Sequence, residues 1–155
     1  MALFQKAVVQ KDRNSDYNET LLLNTKKVVD FHPDTDGNVI FYYAEMGDLK
    51  RQAIEYHVDE NFDTFIGDLR SAEDKEQDTG YNIISLTAEE AGIGGRTFAK
   101  RIGFHKDNLI KGIEDKDNSN KSHIWLAYGD FKPVRYKVDA TLTEIEREAS
   151  ESISV

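Results

Sequence analysis

The chain has 155 residues, contains no cysteine and carries a formal net charge of −9 at pH 7. This length fits one domain or two closely packed half-domains, and the lack of cysteine excludes disulfides, thiolate metal sites and a cysteine nucleophile. The acidic balance argues against a general attraction to nucleic acid or anionic membranes. Because the sequence has no signal-peptide pattern and no apolar run of bilayer length, we expect a protein that works inside a cell and without a membrane.

The first elements are predicted to be strands joined by polar turns. Apolar residues at 3–9 predict one strand, and a polar turn then leads into the leucines at 21–23. Asp36-Gly37 separates two β-rich runs, 28–31 and 39–43, which is a strong hairpin signal. The neighbouring acidic residues follow calcium-loop spacing only superficially, since Val39 occupies the position at which such a loop needs glycine.

The next segment predicts a strand that passes into a helix. Residues 54–58 alternate between apolar and polar, which is the period of a half-buried strand. Apolar residues then recur with helical spacing, and Asp59 or Asn61 is the candidate N-cap. The helical stripe consists of Phe62, Phe65, Ile66 and Leu69. We therefore place a first unit at residues 1–70.

Two less regular segments follow. Residues 71–82 are charged and lack an apolar period, so we predict an exposed acidic linker there. Residues 85–91 predict one or two helical turns that end at Gly92. The glycine-rich stretch 92–97 lacks the Gly-Lys-Ser/Thr ending of a phosphate-binding loop, so we interpret it as a flexible turn.

The end of the chain repeats the strand-to-helix pattern. Residues 134–138 alternate as a strand, and Thr141 and Glu144 have the spacing of a capping box. The helical stripe consists of Leu142, Ile145 and Ala149. We place a second unit at residues 83–150 and a frayed tail at 151–155.

The two units are related by an internal repeat. Tyr-x-Val-Asp occurs at 56–59 and again 80 positions later at 136–139, a shift of 81 superposes 21–29 on 102–110, and residues 39–43 match 123–127. A unit of about 70 residues has difficulty burying a sufficient core alone. We therefore predict a mainly β (α+β) fold of two tandem hairpin units, each closed by a short C-terminal helix and packed together with pseudo-two-fold symmetry.

An alternative interpretation is a DNA-binding regulator. Residues 98–111 follow a helix-turn-helix pattern, with a small residue, a glycine four positions later and an apolar residue six after that. The basic residues that would contact phosphates are Lys100, Arg101, Lys106 and Lys111. Gly112 would cost a recognition helix about 1 kcal/mol. The acidic chain also argues against this interpretation, so nucleic acid is not the expected partner.

No catalytic or metal site is predicted. The four histidines, at 32, 57, 105 and 123, lack the spacing of a metal motif, and no Ser/His/Asp order or nucleophile elbow is visible. Paired carboxylates carry little information in a chain with 29 acidic residues. We therefore expect a non-enzymatic protein with no catalytic residue, no metal and no cofactor.

Aromatic residues are the candidates for a protein contact. They stand at neighbouring positions in presumed strands, so alternation leaves some of them facing outward. Exposed aromatic residues are enriched in protein interfaces. The candidates are Tyr42, Trp125, Tyr128 and Phe131.

In overall style the chain resembles the small β-rich virion structural proteins of tailed bacteriophages. It is acidic, cysteine-free and rich in Asn, Asp and Lys, with units of the form Val-Val-x-Phe, turn, Ile-Phe-Tyr-Tyr and Ile-x-Tyr-x-Val-Asp. The resemblance implies a capsid-auxiliary or head-to-tail connecting component of the virion, assembled in the host cytoplasm. It also implies binding to other virion or assembly proteins and possibly to further copies of itself, as an oligomer, and it brings no catalytic residues.

Overall fold

The computed structural model describes residues 3–11, 16–34, 36–46, 51–74, 82–90, 101–128 and 131–150. The strands are β1 (Leu3–Lys11), β2 (Asp16–Asn24), β3 (Val28–Pro33), β4 (Asn38–Met46), β5 (Arg51–Asn61), β6 (Ile83–Glu90), β7 (Arg101–His105), β8 (Leu109–Glu114), β9 (Ser122–Tyr128) and β10 (Phe131–Val138). The helices are α1 (Phe62–Asp74) and α2 (Leu142–Ser150), and 3₁₀ turns occupy Thr25–Lys27 and Lys106–Asn108. The predicted mainly β class is confirmed.

The strands form one antiparallel sheet in the order β2-β1-β5-β4-β3-β7-β6-β10-β9-β8. Strands β1 to β5 occupy one end and β6 to β10 the other, and adding five to each strand number of the first half gives the order of the second. The ladder between β3 and β7 joins the halves through the pairs Asp30 with Phe104 and Phe31 with Gly103. We call this ladder the internal junction. Within the described sheet, β2 and β8 are the two edges.

Strand register follows the same scheme at both ends of the sheet. Residues 39–43 lie opposite 58–54 in β4 and β5, and residues 122–126 lie opposite 138–134 in β9 and β10. The β3–β4 ladder shifts register between Val28 and Asp30, and the β8–β9 ladder shifts between Leu109 and Lys111. Each of these ladders therefore contains an irregularity at its second residue, just after a 3₁₀ turn.

The sheet divides at β6, which pairs with β7 over its first part and with β10 over its last part. The two helices contact each other beside this strand. Residues 83–87 of β6 pair with β7, whereas Ala88 and Glu90 pair with β10. The Arg70 guanidinium of α1 donates to the Ile83 carbonyl at 3.1 Å and to Glu148 of α2 at 2.8 Å. Glu148 also accepts from the Ser85 backbone N–H at 3.3 Å. Side chains from both helices thus satisfy backbone groups in the part of β6 that pairs with β7.

Two apolar clusters fill the interior. The α1 core consists of Phe4, Val8, Leu23, Val28, Phe31, Val39, Phe41, Tyr56, Val58, Phe62, Phe65, Ile66, Leu69 and Ile83. The α2 core consists of Val29, Tyr42, Ile84, Leu86, Ala88, Ile102, Phe104, Ile124, Leu126, Val134, Tyr136, Val138, Ala140 and Ile145. Each core includes residues of the other half, so the sheet is buried on both faces near the internal junction.

Both helices begin where the sequence predicts. The Asn61 side chain accepts from the Thr64 N–H at 2.8 Å, and the Thr141 hydroxyl accepts from the Glu144 N–H at 3.1 Å. These bonds satisfy backbone donors of the first helical turn. Helix α1 continues to Asp74, past the end of the first unit placed at residue 70 and into the range interpreted as linker. The remainder of that linker, 75–81, and the tail 151–155 lie outside the described residues.

The helical turns predicted at 85–91 are wrong for residues 85–90, because this segment belongs to strand β6. Ile84, Leu86 and Ala88 alternate into the α2 core, while Ile83 enters the α1 core. Ser85 is half-buried and Thr87 exposed, so β6 keeps the alternation of a half-buried strand, which the helical interpretation based on a stop at Gly92 overlooked. The glycine-rich stretch 92–97 lies outside the described residues.

The helix-turn-helix interpretation of 98–111 is also wrong over its described part. Residues 101–105 form β7, 106–108 form a 3₁₀ turn and 109–111 begin β8. Gly103, taken as the glycine of the turn, lies inside a strand against the ring of Phe31. Tertiary packing in the sheet therefore determines the secondary structure of this segment.

Candidate interaction site

The candidate site is the face of β8, β9 and β10 that points away from the α2 core. Lys111 and Arg135 lie on either side of Trp125 as direct cross-strand partners. A second row places Ile113 and Lys137 on either side of His123. We call these residues the Trp125 face: Lys111, Ile113, His123, Trp125, Arg135 and Lys137. Strand alternation creates this face, because the intervening Ile124, Leu126 and Tyr136 are buried in the α2 core.

Trp125 forms a half-buried platform on this face. The Lys111 ammonium lies 4.7 Å from the centroid of the indole ring, within cation–π distance. Trp125, Arg135 and Ile113 also line an open cleft of about 400 Å³ that extends to the turn after β8. A cleft with an indole wall and a guanidinium can accept an apolar or aromatic group that carries negative charge nearby.

Asp115 organises the turn at one end of the cleft. One carboxylate oxygen lies 2.7 Å from His123 Nε2, and the other accepts from the backbone N–H groups of Asp117 and Asn118 at 2.9 and 3.0 Å. The bond with His123, aided by those N–H groups and by Lys137, holds the pKa of Asp115 below its ordinary range. Asp115 is therefore a carboxylate at neutral pH and fixes His123 at the edge of the Trp125 face.

Of the two predicted protein-contact residues whose side chains the structure describes, Trp125 lies on an accessible face and Tyr42 does not. Tyr42 is 7% exposed and belongs to the α2 core, and its hydroxyl donates to Glu55 at 3.1 Å. The expectation that Tyr42 faces outward is wrong, because the face of β4 that carries it is covered by the second half. Tyr128 and Phe131 pair across β9 and β10, but their side chains lie outside the described residues.

The predicted phosphate-contact residues do not share one surface. The Arg101 guanidinium bonds Asp63 at 2.8 Å and stacks over Phe62 at 4.2 Å. The Lys106 ammonium lies 3.5 Å from the carbonyl of Ala149 in α2. Only Lys111 belongs to the Trp125 face, and Lys100 lies outside the described residues. Their closeness in sequence therefore does not produce a basic recognition element.

A buried polar network that the sequence does not signal lies where α1 ends. Glu73 is 6% exposed, and its carboxylate accepts from the Thr25 hydroxyl and from the Asn82 amide at 2.9 Å. His105 Nε2 lies 3.2 Å from the same carboxylate, while His105 Nδ1 accepts from the Asp107 N–H. The Nδ1 bond assigns the proton to Nε2, which donates to Glu73. The network ties α1 to the 3₁₀ turn Thr25–Lys27, to Asn82 just before β6, and to β7.

The pKa values in this network follow from burial and hydrogen bonding. Burial lowers the pKa of His105, with partial opposition from the negative charges of Glu73 and Asp107. Burial also acts to raise the pKa of Glu73, but hydrogen bonds from Thr25 and Asn82 leave it below its ordinary value. The Thr25 hydroxyl donates to the carboxylate and not to the imidazole, and His105 is 1% exposed. The arrangement is a structural clamp, not an activated nucleophile.

The opposite end of the sheet has a different charge. A second open cavity, of about 320 Å³, is lined by residues of β1 and β2 together with Asp59, and it includes Glu19. The Tyr56 hydroxyl nearby donates to Glu45 at 2.6 Å. Burial, together with Glu45 and Glu19, raises the pKa of Tyr56 far above its ordinary value. Among the described side chains, the charged residues that line this cavity are therefore carboxylates, whereas cations dominate the Trp125 face.

The described residues contain no group of three His, Cys, Asp or Glu side chains that could hold a metal ion. Neither helix in the described ranges is long and apolar enough to span a membrane. Comparison of the chain with family models, with curated proteins and with solved structures gave no match.

Proposed function

We propose that the chain is a non-enzymatic structural or assembly protein of a bacteriophage virion, a capsid-auxiliary or head-to-tail connecting component that works through protein–protein contacts. The observation that carries the proposal is the Trp125 face. It combines an accessible indole, an exposed arginine and the exposed apolar side chain of Ile113 on a rigid sheet. Trp and Arg are the residues most often responsible for binding energy at protein interfaces, and a sheet presents them in fixed positions.

The proposal includes an origin by duplication. We infer that residues 1–70 and 83–150 descend from one ancestral unit whose two copies follow each other head to tail in the sheet. The predicted pseudo-two-fold axis would pair β3 with its own counterpart β8, whereas β3 pairs with β7, the counterpart of β2. The equal strand orders, the matched register of β4–β5 and β9–β10, and the two 3₁₀ turns 81 residues apart support this inference. The register aligns Val39 with Ser122 and not with His123, so the sequence match for this strand is displaced by one residue.

The internal polar contacts support a structural role. Tyr136 of the second half donates to the fully buried Asp30 of the first at 2.6 Å. Thr25, Glu73 and His105 bond one another away from solvent. Such contacts hold the two halves rigidly together. A protein needs this rigidity if it sets the relative positions of its neighbours in an assembly.

The virion role is tested by quantitative mass spectrometry of phage particles purified from cells that produce this chain. We expect the chain at a constant ratio to the major capsid protein. A Trp125→Ala, Arg135→Ala variant should be incorporated at least tenfold less, since truncation of each interface anchor costs about 1–2 kcal/mol or more. A matched Thr64→Ala variant, altered on the exposed side of α1, should be incorporated normally.

Two results would overturn this function. The first is a chain that is abundant in the lysate but absent from purified particles. The second is salt-dependent binding of a single-stranded oligonucleotide that disappears in the same Trp125→Ala, Arg135→Ala variant. That outcome would assign the face to nucleic acid, which stacks its bases on aromatic side chains between cations.

A further inference from the structure

We propose that a second copy of this chain binds head to tail: its β2 adds to β8 of the first copy in the way that β7 joins β3 inside each chain. The inference rests on the duplication and the assembly role proposed above, and it names the partner as the chain itself. In the duplicated unit, β8 corresponds to β3 and β2 corresponds to β7. Each edge of the sheet is thus the counterpart of a strand that is already paired at the internal junction.

The exposed apolar residues single out these two edges. Of the large apolar side chains in the described ranges, five are exposed by 41–61%. Two lie on β1 and β2, two lie on β8, and one begins α2, where its Cδ2 atom lies near Gly112 of β8. They are Leu3, Leu22, Ile110, Ile113 and Leu142. Exposed apolar side chains at both edges indicate surfaces that another chain covers.

Every one of these five residues corresponds to a residue that is buried inside the chain. Their counterparts lie 80 or 81 positions away in the other half. The pairs are Leu3 with Ile83, Leu22 with Gly103, Ile110 with Val29, Ile113 with His32, and Leu142 with Phe62. All five counterparts are buried beside the internal junction, in or next to the two cores. The same positions are therefore covered where a partner strand is present and exposed where it is not.

Side-chain size at the two places is complementary. At the internal junction Phe31 pairs with Gly103, where a Cβ would lie 2.2 Å from the phenyl ring. The corresponding pair between copies is Gly112 with Leu22, so the large and the small residue exchange strands. Leu22 has 61% of its surface exposed and can occupy the space over Gly112 beside Leu142. Exchanges that conserve volume preserve packing.

The Trp125 face fits the same contact. Four of its six counterpart residues, Asp30, His32, Ile40 and Tyr42, pack into the second half, where Tyr136 bonds Asp30. Glu55 and His57, which correspond to Arg135 and Lys137, stay partly exposed. In the contact between copies, Lys111 of the first copy takes the place of Asp30. Tyr56 of the second copy takes the place of Tyr136. The hydroxyl of Tyr56 is bonded to Glu45. A lysine of one copy thus approaches a tyrosine–carboxylate pair of the next, which is a complementary charge.

Head-to-tail contact of this kind is heterologous, so it continues from copy to copy until a ring closes or a filament grows. The expected species have masses that are multiples of 17.7 kDa. Pairing through strand edges adds a ladder of backbone hydrogen bonds, and the exposed apolar residues add burial.

The register is tested by cysteine cross-linking, for which this cysteine-free chain is well suited. Equimolar Leu22→Cys and Gly112→Cys chains are mixed and oxidised with oxidised glutathione, which takes up the two electrons released when two thiols form a disulfide. We expect a cross-linked dimer in the mixture and little in either variant alone. The matched control replaces Gly112→Cys by Glu114→Cys, on the same face but about 7 Å along the strand, and it should cross-link at least tenfold less.

Association itself is measured by sedimentation velocity of the full chain from micromolar to hundred-micromolar concentration. We expect oligomers for the unaltered chain and monomers for Leu22→Glu, which places a charge opposite Gly112 and beside Leu142. The control Thr64→Glu adds the same charge to the exposed side of α1 and should associate normally. Circular dichroism checks that both variants are folded.

The inference is overturned if the unaltered chain remains monomeric throughout this range, or if it associates but Leu22→Glu has no effect. Equal cross-linking at Gly112 and Glu114 would also overturn it. Incorporation of a monomeric chain into purified particles would leave the virion role intact and remove only self-association. If the chain is absent from particles but forms oligomers that depend on Leu22, self-association stands and the virion role is refuted. The two failures are therefore distinguishable.

Discussion

The outer faces of the two halves differ, although their strands follow the same order. In the first half, Tyr42 is 7% exposed and Asp30 is fully buried, because the second half packs over them. In the second half the corresponding Trp125 is half-buried and Lys111 is exposed. The comparison shows how one strand plan yields an internal joint at one position and an open surface at the other.

Residue type matches this difference in environment. The covered face carries a carboxylate that a tyrosine hydroxyl satisfies, since a buried polar group needs a partner. The open face carries two lysines and an arginine, whose charged ends remain hydrated. Substitutions at paired positions should therefore have unequal effects on stability, and the following predictions compare such pairs.

The largest difference is expected between Gly103 and Gly112. Gly103→Ala places a methyl group inside the ring of Phe31 and should lower the free energy of unfolding by about 3 kcal/mol. Gly112→Ala places its methyl 3.1 Å from the end of the exposed, movable Leu142 and should cost under about 1 kcal/mol. Urea denaturation followed by tryptophan fluorescence measures both.

A second substitution identifies the cause. Gly103→Ala combined with Phe31→Leu should be more stable than Gly103→Ala alone, because the smaller side chain makes room for the methyl group. Equal effects of Gly103→Ala and Gly112→Ala would mean that β7 does not pack against β3 as described.

A smaller difference is expected between the two tyrosines of the repeated Tyr-x-Val-Asp. Tyr136→Phe removes a donor from the fully buried Asp30 and should cost about 2 kcal/mol. Tyr56→Phe removes a donor from Glu45, which is partly exposed and can be solvated by water, so it should cost about 1 kcal/mol or less. Chemical denaturation of both variants at pH 7 provides the comparison, and a larger loss for Tyr56→Phe would contradict it.

The smallest effect concerns pH and the clamp of Glu73 and His105. The pKa of His105 is lowered in the folded protein, so below about pH 6.5 the unfolded chain binds more protons and the free energy of unfolding falls. The pKa of Glu73 is also lowered, so stability falls again as the pH drops below about 4.5. Both groups therefore stabilise the fold most at neutral pH.

We expect a His105→Gln variant to lose about 1 kcal/mol at pH 7.5 and to show a flatter dependence of unfolding free energy between pH 7.5 and 5.5. The matched control is His57→Gln, which alters a partly exposed histidine on β5. An unchanged slope in His105→Gln would show that another group causes the acid sensitivity.

The strand-to-helix transitions were accessible from the sequence because they are local. Tyr56 and Val58 alternate, and Phe65 and Leu69 repeat with helical spacing, so period alone identifies β5 and α1. Capping is equally local, as Asn61 and Thr141 act within their own first turns. At β7, burial of both faces removes the alternation. Strand β6 does alternate, and the error there came from interpreting Gly92 as a helix stop.

The candidate site was only partly predictable. The sequence named Trp125 and Lys111 but placed them in separate hypotheses, and it treated Tyr42 as equivalent to Trp125. Alternation tells which residues share a face, whereas coverage of that face depends on which strand lies beside it. The clamp of Glu73 and His105 joins residues 32 positions apart and has no local signal.

The sequence by itself determined the mainly β class, the two strand-to-helix units and the hairpin at Asp36-Gly37, because turn chemistry and periodicity act over a few residues. Tertiary structure alone decided that β7 pairs with β3, that the sheet divides at β6 and that one aromatic face is covered while the other is open. These outcomes depend on burial and on contacts between distant segments, which no local pattern records.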